Sequence, residues 1–311
     1  MRDQVAHALR RPLLAAAESE RIESLVRRNG FSSGLVRRFV AGEDLGTALE
    51  VVRGIAEQGM TSTLDHLGEN VTTLAEARAA IESYTAILQR MADAGLEPNI
   101  SVKLTMLGLD LGEEVAREHM LAILEQARAV DGFVRIDMEG SAYTEATIRI
   151  TEALHERFPQ HVGTVIQSYL RRSAADVERM IARDARLRLV KGAYAEPASV
   201  AFQDKQEVDD SYRKLMLRLL DAGNYPAIAT HDPTLIQTAR HYTADHAIGP
   251  DQYEFQMLYG VRRDAQRDLA KAGYRMRVYV PYGTEWYPYF TRRIAERPAN
   301  ALFVLRQLVS R

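Results

Sequence analysis

The stretch from residue 98 to 139 reads PNISVKLTMLGLDLGEEVAREHMLAILEQARAVDGFVRIDME, and it decides the fold. A short β-prone run, PNISVKLTML, gives way to GEEVAREHMLAILEQARAV, whose spacing and length suit a crossover helix. A second β-prone run, FVRIDME, follows at once. A strand, a helix and a strand at this spacing predict one βαβ unit with parallel strands. Working outward, the unit repeats. β-prone runs stand at 60–68, 162–170, 187–194, 226–232, 253–260 and 276–283, with helix-length amphipathic stretches between them. The total is eight, in about 250 residues, which is the size expected of a (β/α)8 barrel. A doubly wound open sheet would normally carry a Gly-rich turn after its first strand, and no G-x-G-x-x-G is present. The predicted fold class is therefore α/β, a distorted (β/α)8 TIM-type barrel. Residues 1–58 show helical periodicity broken at Asn29-Gly30 and Ser32–Gly34, and are expected to form an N-terminal helical extension packed on a 59–311 barrel.

Composition narrows the function classes. The 311 residues are 46% apolar and 26% charged, as in an ordinary globular protein. A net charge of −2 gives no electrostatic footprint for nucleic acid. The absence of cysteine excludes disulfides, thiolate metal sites and a Cys nucleophile. No apolar run is long enough to span a bilayer, and the N-terminus MRDQVAHALRRPLL has charges scattered through it, so a cytoplasmic location is expected.

In a (β/α)8 barrel the chemistry gathers at the C-terminal ends of the strands. The second run carries Lys103 there and the third ends Asp137-Met138-Glu139. The fourth ends Gln167-Ser168-Tyr169, and the fifth holds Arg188 before Lys191-Gly192-Ala193-Tyr194. The later runs bring Thr230-His231-Asp232, then Gln256 to Tyr259, then Tyr279 and Tyr282. Each has a bland reading: His231 as a core-satisfied imidazole, Lys103 snorkelling to solvent, Asp137 capping a helix, Leu258 and Tyr279 filling the barrel. Coincidence of all of them at one mouth is harder to explain that way. Near the C-terminus, Tyr289, Arg292, Arg293 and Glu296 share one helical stripe where Leu or Val is usual. Arg-Arg pairs occur six times in the chain, so it is the stripe, not the pair, that singles these out. Arg292, Arg293 and Lys103 together suit a carboxylate, with Glu296 orienting a guanidinium. Tyr194, Leu258, Tyr279 and Tyr282 would form an apolar wall beside it. The pocket predicted is one for a compact amino or keto acid together with a larger polar cofactor. From barrel chemistry alone, a Schiff-base lyase using Lys103 or Lys191 is a rival, and a catalytically inert sensor is another.

The ordered set SVKLTMLG, RIDMEG, IQSYLRR, RLVKGAY, THD, EFQMLYG, VYVPYG and Y-x-x-R-R-x-x-E-x-P-x-N closely resembles the proline dehydrogenase family, from about residue 31 to 305. The resemblance implies oxidation of L-proline to Δ1-pyrroline-5-carboxylate with FAD as cofactor. It implies that Arg292, Arg293 and Lys103 bind the proline carboxylate, and that Tyr194, Leu258 and Tyr279 close over the ring. Arg188 is placed beside the flavin and Asp137 in the polar network at the reacting centre. Met138, Gln167, Val190, Lys191, Gly192, Ala193, Thr230 and His231 are placed on the FAD. The family's acceptor is a membrane quinone, so peripheral membrane association is implied. With the chain ending at 311, there is no room for the aldehyde dehydrogenase domain of bifunctional relatives, so a separate pyrroline-5-carboxylate dehydrogenase is the expected consumer of the product. One departure is His231-Asp232, where many relatives carry His-Asn.

Overall fold

The computed structural model describes Gly34 and residues 36–295. Eight parallel strands close into a barrel: β1 (Thr61–His66), β2 (Asn99–Val102), β3 (Phe133–Ile136), β4 (Val162–Gln167), β5 (Arg186–Val190), β6 (Asn224–Ala229), β7 (Glu254–Leu258) and β8 (Met276–Tyr282). β8 returns to β1 in a six-residue register running from Thr61 opposite Arg277 to His66 opposite Tyr282. Helix α1 (Leu45–Ala56) precedes β1. The crossovers are α2 (Leu74–Asp93), α3 (Glu113–Ala129), α4 (Thr144–His155), α5 (Ser173–Ile181), α6 (Lys205–Ala222), α7 (Pro233–Asp245) and α8 (Arg263–Lys271). Helix α9 (Trp286–Ala295) follows β8.

Each predicted run overlaps its strand and extends past the observed end, while β5 and β6 begin one and two residues before the runs expected for them. In SVKLTML the ladder stops at Val102, and Thr105–Leu107 coils into a 3-10 turn. The turn is pinned because Glu139, just beyond β3, accepts from the Thr105 N–H at 3.1 Å and from its hydroxyl at 2.5 Å. The overshoot is thus the set of loops that carry the polar residues.

Alternation along the strands splits the molecule into two environments. Leu64, Ile100, Val134, Leu187, Ile228, Phe255 and Val278 are buried in the main apolar core with residues of the surrounding helices, such as Leu88, Ile123 and Met216. The other parity faces the lumen, where Thr63, Ser101, Arg135, Arg188, Gln256 and Arg277 are buried. Barrels of this type usually fill the lumen with Val, Ile and Leu; this one fills much of it with hydrogen-bonded polar groups. Those of Arg188 join strands that are not neighbours, so they must cross the interior. Arg188 on β5 donates to Ser101 on β2 at 3.1 Å and to Gln256 on β7 at 2.6 Å. Lower down, Arg277 donates through Nε to both oxygens of Glu254 at 3.0 and 3.1 Å. Burial pushes the Glu254 carboxyl up, but the Arg277 guanidinium prevails and holds it below the usual range. Arg135 passes beside Gly163, where a Cβ would meet the Arg186 carbonyl at 2.3 Å and the guanidinium at 2.7 Å.

A second, smaller apolar cluster lies over the mouth. Val36, Phe39 and Val40 pack with Leu67 and with Trp286, Tyr287, Tyr289 and Phe290 of α9. Ala41 N–H donates to the Pro281 carbonyl at 2.8 Å, and Gly283 N–H to the Gly42 carbonyl at 3.0 Å. The predicted 1–58 extension is described only through this segment and α1; residues 1–33 and 35 lie outside the described residues. Among the described residues no helix is long and apolar enough to cross a membrane.

Candidate active site

Lys103, one residue past β2, does not snorkel to solvent; it is 7% exposed. Its ammonium donates to Asp65 at 3.2 Å on Oδ1 and 3.4 Å on Oδ2. Burial disfavours that charge, yet Asp65, with Tyr84 and Asp137 behind it, raises the Lys103 pKa above its ordinary value. Lys103 is therefore a fixed cation with no lone pair to offer, which counts against a Schiff-base role. Lys191, the other candidate nucleophile, is bonded to Asp209 at 2.5 Å and Asp232 at 3.0 Å.

Across the mouth, Asp137 receives two bonds: Arg188 Nη1 donates to Oδ1 at 2.7 Å and the Tyr279 hydroxyl to Oδ2 at 2.8 Å. Arg188 also lies 5.3 Å from the Tyr279 ring centroid. Burial pushes the Asp137 carboxyl up, against the pull of Arg188. Tyr279 is likewise pushed well above the usual phenol range by burial and by Asp137, and so remains a donor. With Gln256 and Ser101 holding its other nitrogens, the Arg188 guanidinium is fixed in orientation.

Helix α9 forms the far wall. Arg292 Nη1 donates to Glu69, in the loop after β1, at 3.2 Å. Burial works against the Arg292 charge, and Glu69 with Tyr194 raises its pKa nonetheless. The Arg293 guanidinium lies 5.3 Å over the Tyr289 ring. Tyr194 is half-buried, its hydroxyl pushed up to about 12 by burial and by Glu139 and Glu69, with Lys103 and Arg292 opposing. These electrostatic neighbours place Tyr194 among the cations from β2 and α9. Glu296 lies outside the described residues.

The remaining predicted residues flank β4, β5 and β6. Gln167 is buried and donates to the Glu139 carbonyl at 2.9 Å. Val190 ends β5, and Lys191, Gly192 and Ala193 follow it. Gly192 has φ +121, and a Cβ there would meet the Tyr169 ring at 2.3 Å, so only glycine lets the chain lie on that ring. Thr230 Oγ1 accepts from the Asp232 N–H at 3.1 Å. His231 Nε2 accepts from the Leu258 N–H at 3.0 Å, so the imidazole fixes the end of β7. Met138 packs in the main core. Asp232 caps α7 through Thr234 as well as meeting Lys191.

Sequence reasoning misses Asp65, in the first β-prone run, and Glu69 just after it, and gives Ser101 and Gln256 no role. For Asp65 a signal existed: a carboxylate in MTSTLDHLG at the same parity as Thr63. Glu69 had none, because its pairing with Arg292 spans 223 residues.

The family model described as Proline dehydrogenase matches residues 48–306. The chain belongs to the proline dehydrogenase family. It is accordingly an oxidoreductase. Proline dehydrogenase 1 of Bacillus subtilis (strain 168) is 44% identical over 303 residues, which are 97% of this chain and 100% of that protein. Proline dehydrogenase of Deinococcus radiodurans is 40% identical over 304 residues, 96% of this chain and 97% of the relative. Among solved structures, proline utilization A (PutA) from Bdellovibrio bacteriovorus, inactivated by N-propargylglycine, superposes with a TM-score of 0.79 at 26% identity. That match covers 84% of this chain and 32% of the other, so the chain spans about a third of that protein's length.

Proposed function

We propose that this chain oxidises L-proline to Δ1-pyrroline-5-carboxylate as the first step of proline catabolism, with FAD as cofactor and a quinone-type acceptor for the electrons. Beyond family membership, one observation carries this reading. Two cations from distant parts of the chain, Lys103 and Arg292, converge on a mouth walled by Tyr194 and Tyr279, each set by one carboxylate. A small ring with a carboxylate matches that arrangement.

The donor set between β4 and β6 fits a flavin. Gln167, Arg188, Lys191, Thr230 and His231 supply polar edges. Gly192 leaves room for the chain to lie flat on Tyr169, and the buried Ser168 hydroxyl has no partner in the protein. Met138, Val190 and Ala193 complete the set assigned to the cofactor. When bound, FAD supplies the group that accepts hydride.

This chain's own residues do the rest. Arg292, Arg293 and Lys103 hold the carboxylate, with Glu296 assigned to orient a guanidinium. Three cations beside the substrate lower the pKa of its ammonium, and hydride loss from the adjacent carbon requires that nitrogen to be neutral. Tyr194, Leu258 and Tyr279 hold the ring and exclude water, turning binding energy into orientation. Arg188, braced by Gln256, Asp137 and Ser101, presents fixed positive charge where negative charge develops. Asp137 is the group assigned to hold the departing proton, through water.

On this reading the protein works in the cytoplasm, with peripheral contact to the membrane that holds the quinone, and a separate pyrroline-5-carboxylate dehydrogenase consumes the product. The test is a visible spectrum before and after L-proline without oxygen. Flavin bands near about 380 and 450 nm that bleach on addition are expected. A protein colourless even after reconstitution with FAD overturns the cofactor; a yellow one indifferent to proline overturns the carboxylate clamp.

A further inference from the structure

The end of β1 carries a buried carboxylate, Asp65, that the motifs of the sequence leave without a role. Asp65 is fully buried, and its register sets it opposite Ser101 on β2 and Pro281 on β8. Both of its oxygens face the Lys103 ammonium, at 3.2 and 3.4 Å. Four residues on, Glu69 holds Arg292. β1 and its loop thus provide one counter-charge for each of the two cations. A buried ammonium stripped of its counter-charge loses its proton or swings towards water.

We propose that Asp65 is a positioning residue for substrate recognition, keeping Lys103 protonated and aimed into the mouth so that it meets a substrate carboxylate as a cation at any working pH. This rests on the proline reading. The other groups that face Lys103 are committed elsewhere. Asp137 on β3 is bonded to Arg188 and Tyr279, Glu139 to Thr105, and Glu69 to Arg292. Tyr84 on α2 and Tyr194 after β5 are phenols pushed upward by burial, so both are neutral at working pH. His66 is stacked on Tyr282 with centroids 5.1 Å apart, and burial pushes it towards the neutral form. The sign follows. With Asp65 ionised, its attraction overcomes burial and the Lys103 pKa lies above the ordinary lysine value. With the carboxylate replaced by an amide, burial is left to dominate and pulls that pKa down.

Calorimetric binding of cyclopentanecarboxylate to the flavin-loaded protein tests this. That ring acid has no amine and stays ionised between about pH 6 and 9, so only groups on the protein titrate. Wild-type affinity is expected to be flat over that range. Asp65→Asn is expected to weaken progressively, approaching about tenfold per pH unit above the new Lys103 pKa. Lys103→Met should bind weakly at every pH, and adding Asp65→Asn to it should cost nothing more. A pH-flat Asp65→Asn, with or without a lower melting temperature, overturns the proposal. If Asp65→Asn does not fold, Asp65→Glu decides: flat but weakened binding supports positioning, and unchanged affinity refutes it. A wild type that binds no ring carboxylate sinks the substrate reading itself, and is told apart because Lys103→Met then changes nothing.

Discussion

Asp137 accepts from Arg188 and Tyr279 at once, and burial lifts its carboxyl against the pull of Arg188. If it must be ionised to take a proton, the acid limb of kcat/KM lies above the ordinary carboxylate value of about 4. Asp137→Asn is then expected to remove that limb and most of the activity; a limb of unchanged position assigns it to another group. Arg292→Lys and Arg293→Lys should each raise the proline KM by about tenfold or more while flavin stays bound, because a point charge cannot reproduce a guanidinium fork. Loss of flavin with KM unchanged would contradict that role. Gly192→Ala meets two obstacles, its φ of +121 and the Tyr169 ring at 2.3 Å. A strained backbone position costs about 1–3 kcal/mol, so the variant should melt lower and purify with less flavin. Adding Tyr169→Ala relieves the ring contact alone and should recover only part of the loss. At this scale the sequence named most of the polar groups at the mouth, since they stood out in β-prone runs. It did not pair them: that Lys103 meets Asp65 and Arg292 meets Glu69 depends on which strand ends become neighbours.

Helix α9 presents Arg292 and is held from the other side by the segment before α1. Phe39, Val40 and Leu67 pack against Trp286 and Phe290, and the Trp286 indole donates to Glu43 at 3.0 Å. The position of the guanidinium therefore depends on the apolar cluster that seats its helix. Phe290→Ala removes a buried ring, which typically costs about 3–5 kcal/mol. Because α9 is seated by that ring, the expected kinetic signature is a higher proline KM with kcat largely retained. A fall in melting temperature with KM unchanged would show that α9 keeps its place without Phe290. The helical stripe read from Tyr289, Arg292 and Arg293 is on this helix, yet Tyr289 belongs to the apolar cluster while Arg292 reaches Glu69. Periodicity places side chains on one face without saying which of them meets an apolar neighbour and which a carboxylate.

Over the whole molecule, buried charge inside the barrel links stability to pH. Glu254 and Arg277 are 3% and 6% exposed. The folded-state pKa of Glu254 is lowered, so its contribution is present above the unfolded value of about 4.3 and is lost as pH falls through the folded value. Glu254→Gln should therefore cost about 3–5 kcal/mol at neutral pH, as for other broken buried pairs. The gap between the two proteins should narrow as pH falls from about 4.3 towards the lower folded value, as denaturant unfolding at several pH values would reveal. A gap that persists undiminished in acid would point to packing, not charge. The sequence by itself determined the alternation of eight strands with helices, because strand and helix periodicities and turn residues are local properties. It also determined which residue types gather at the strand ends. Only the tertiary structure decided that the lumen is largely polar, since closure of the barrel puts Arg188 within reach of Ser101 and Gln256 on strands it never pairs with. It alone supplied counter-charges from β1 and its loop, because β1 becomes the neighbour of both β2 and β8 when the sheet closes. Such contacts arise from chain closure over long sequence separations, to which local periodicity is blind.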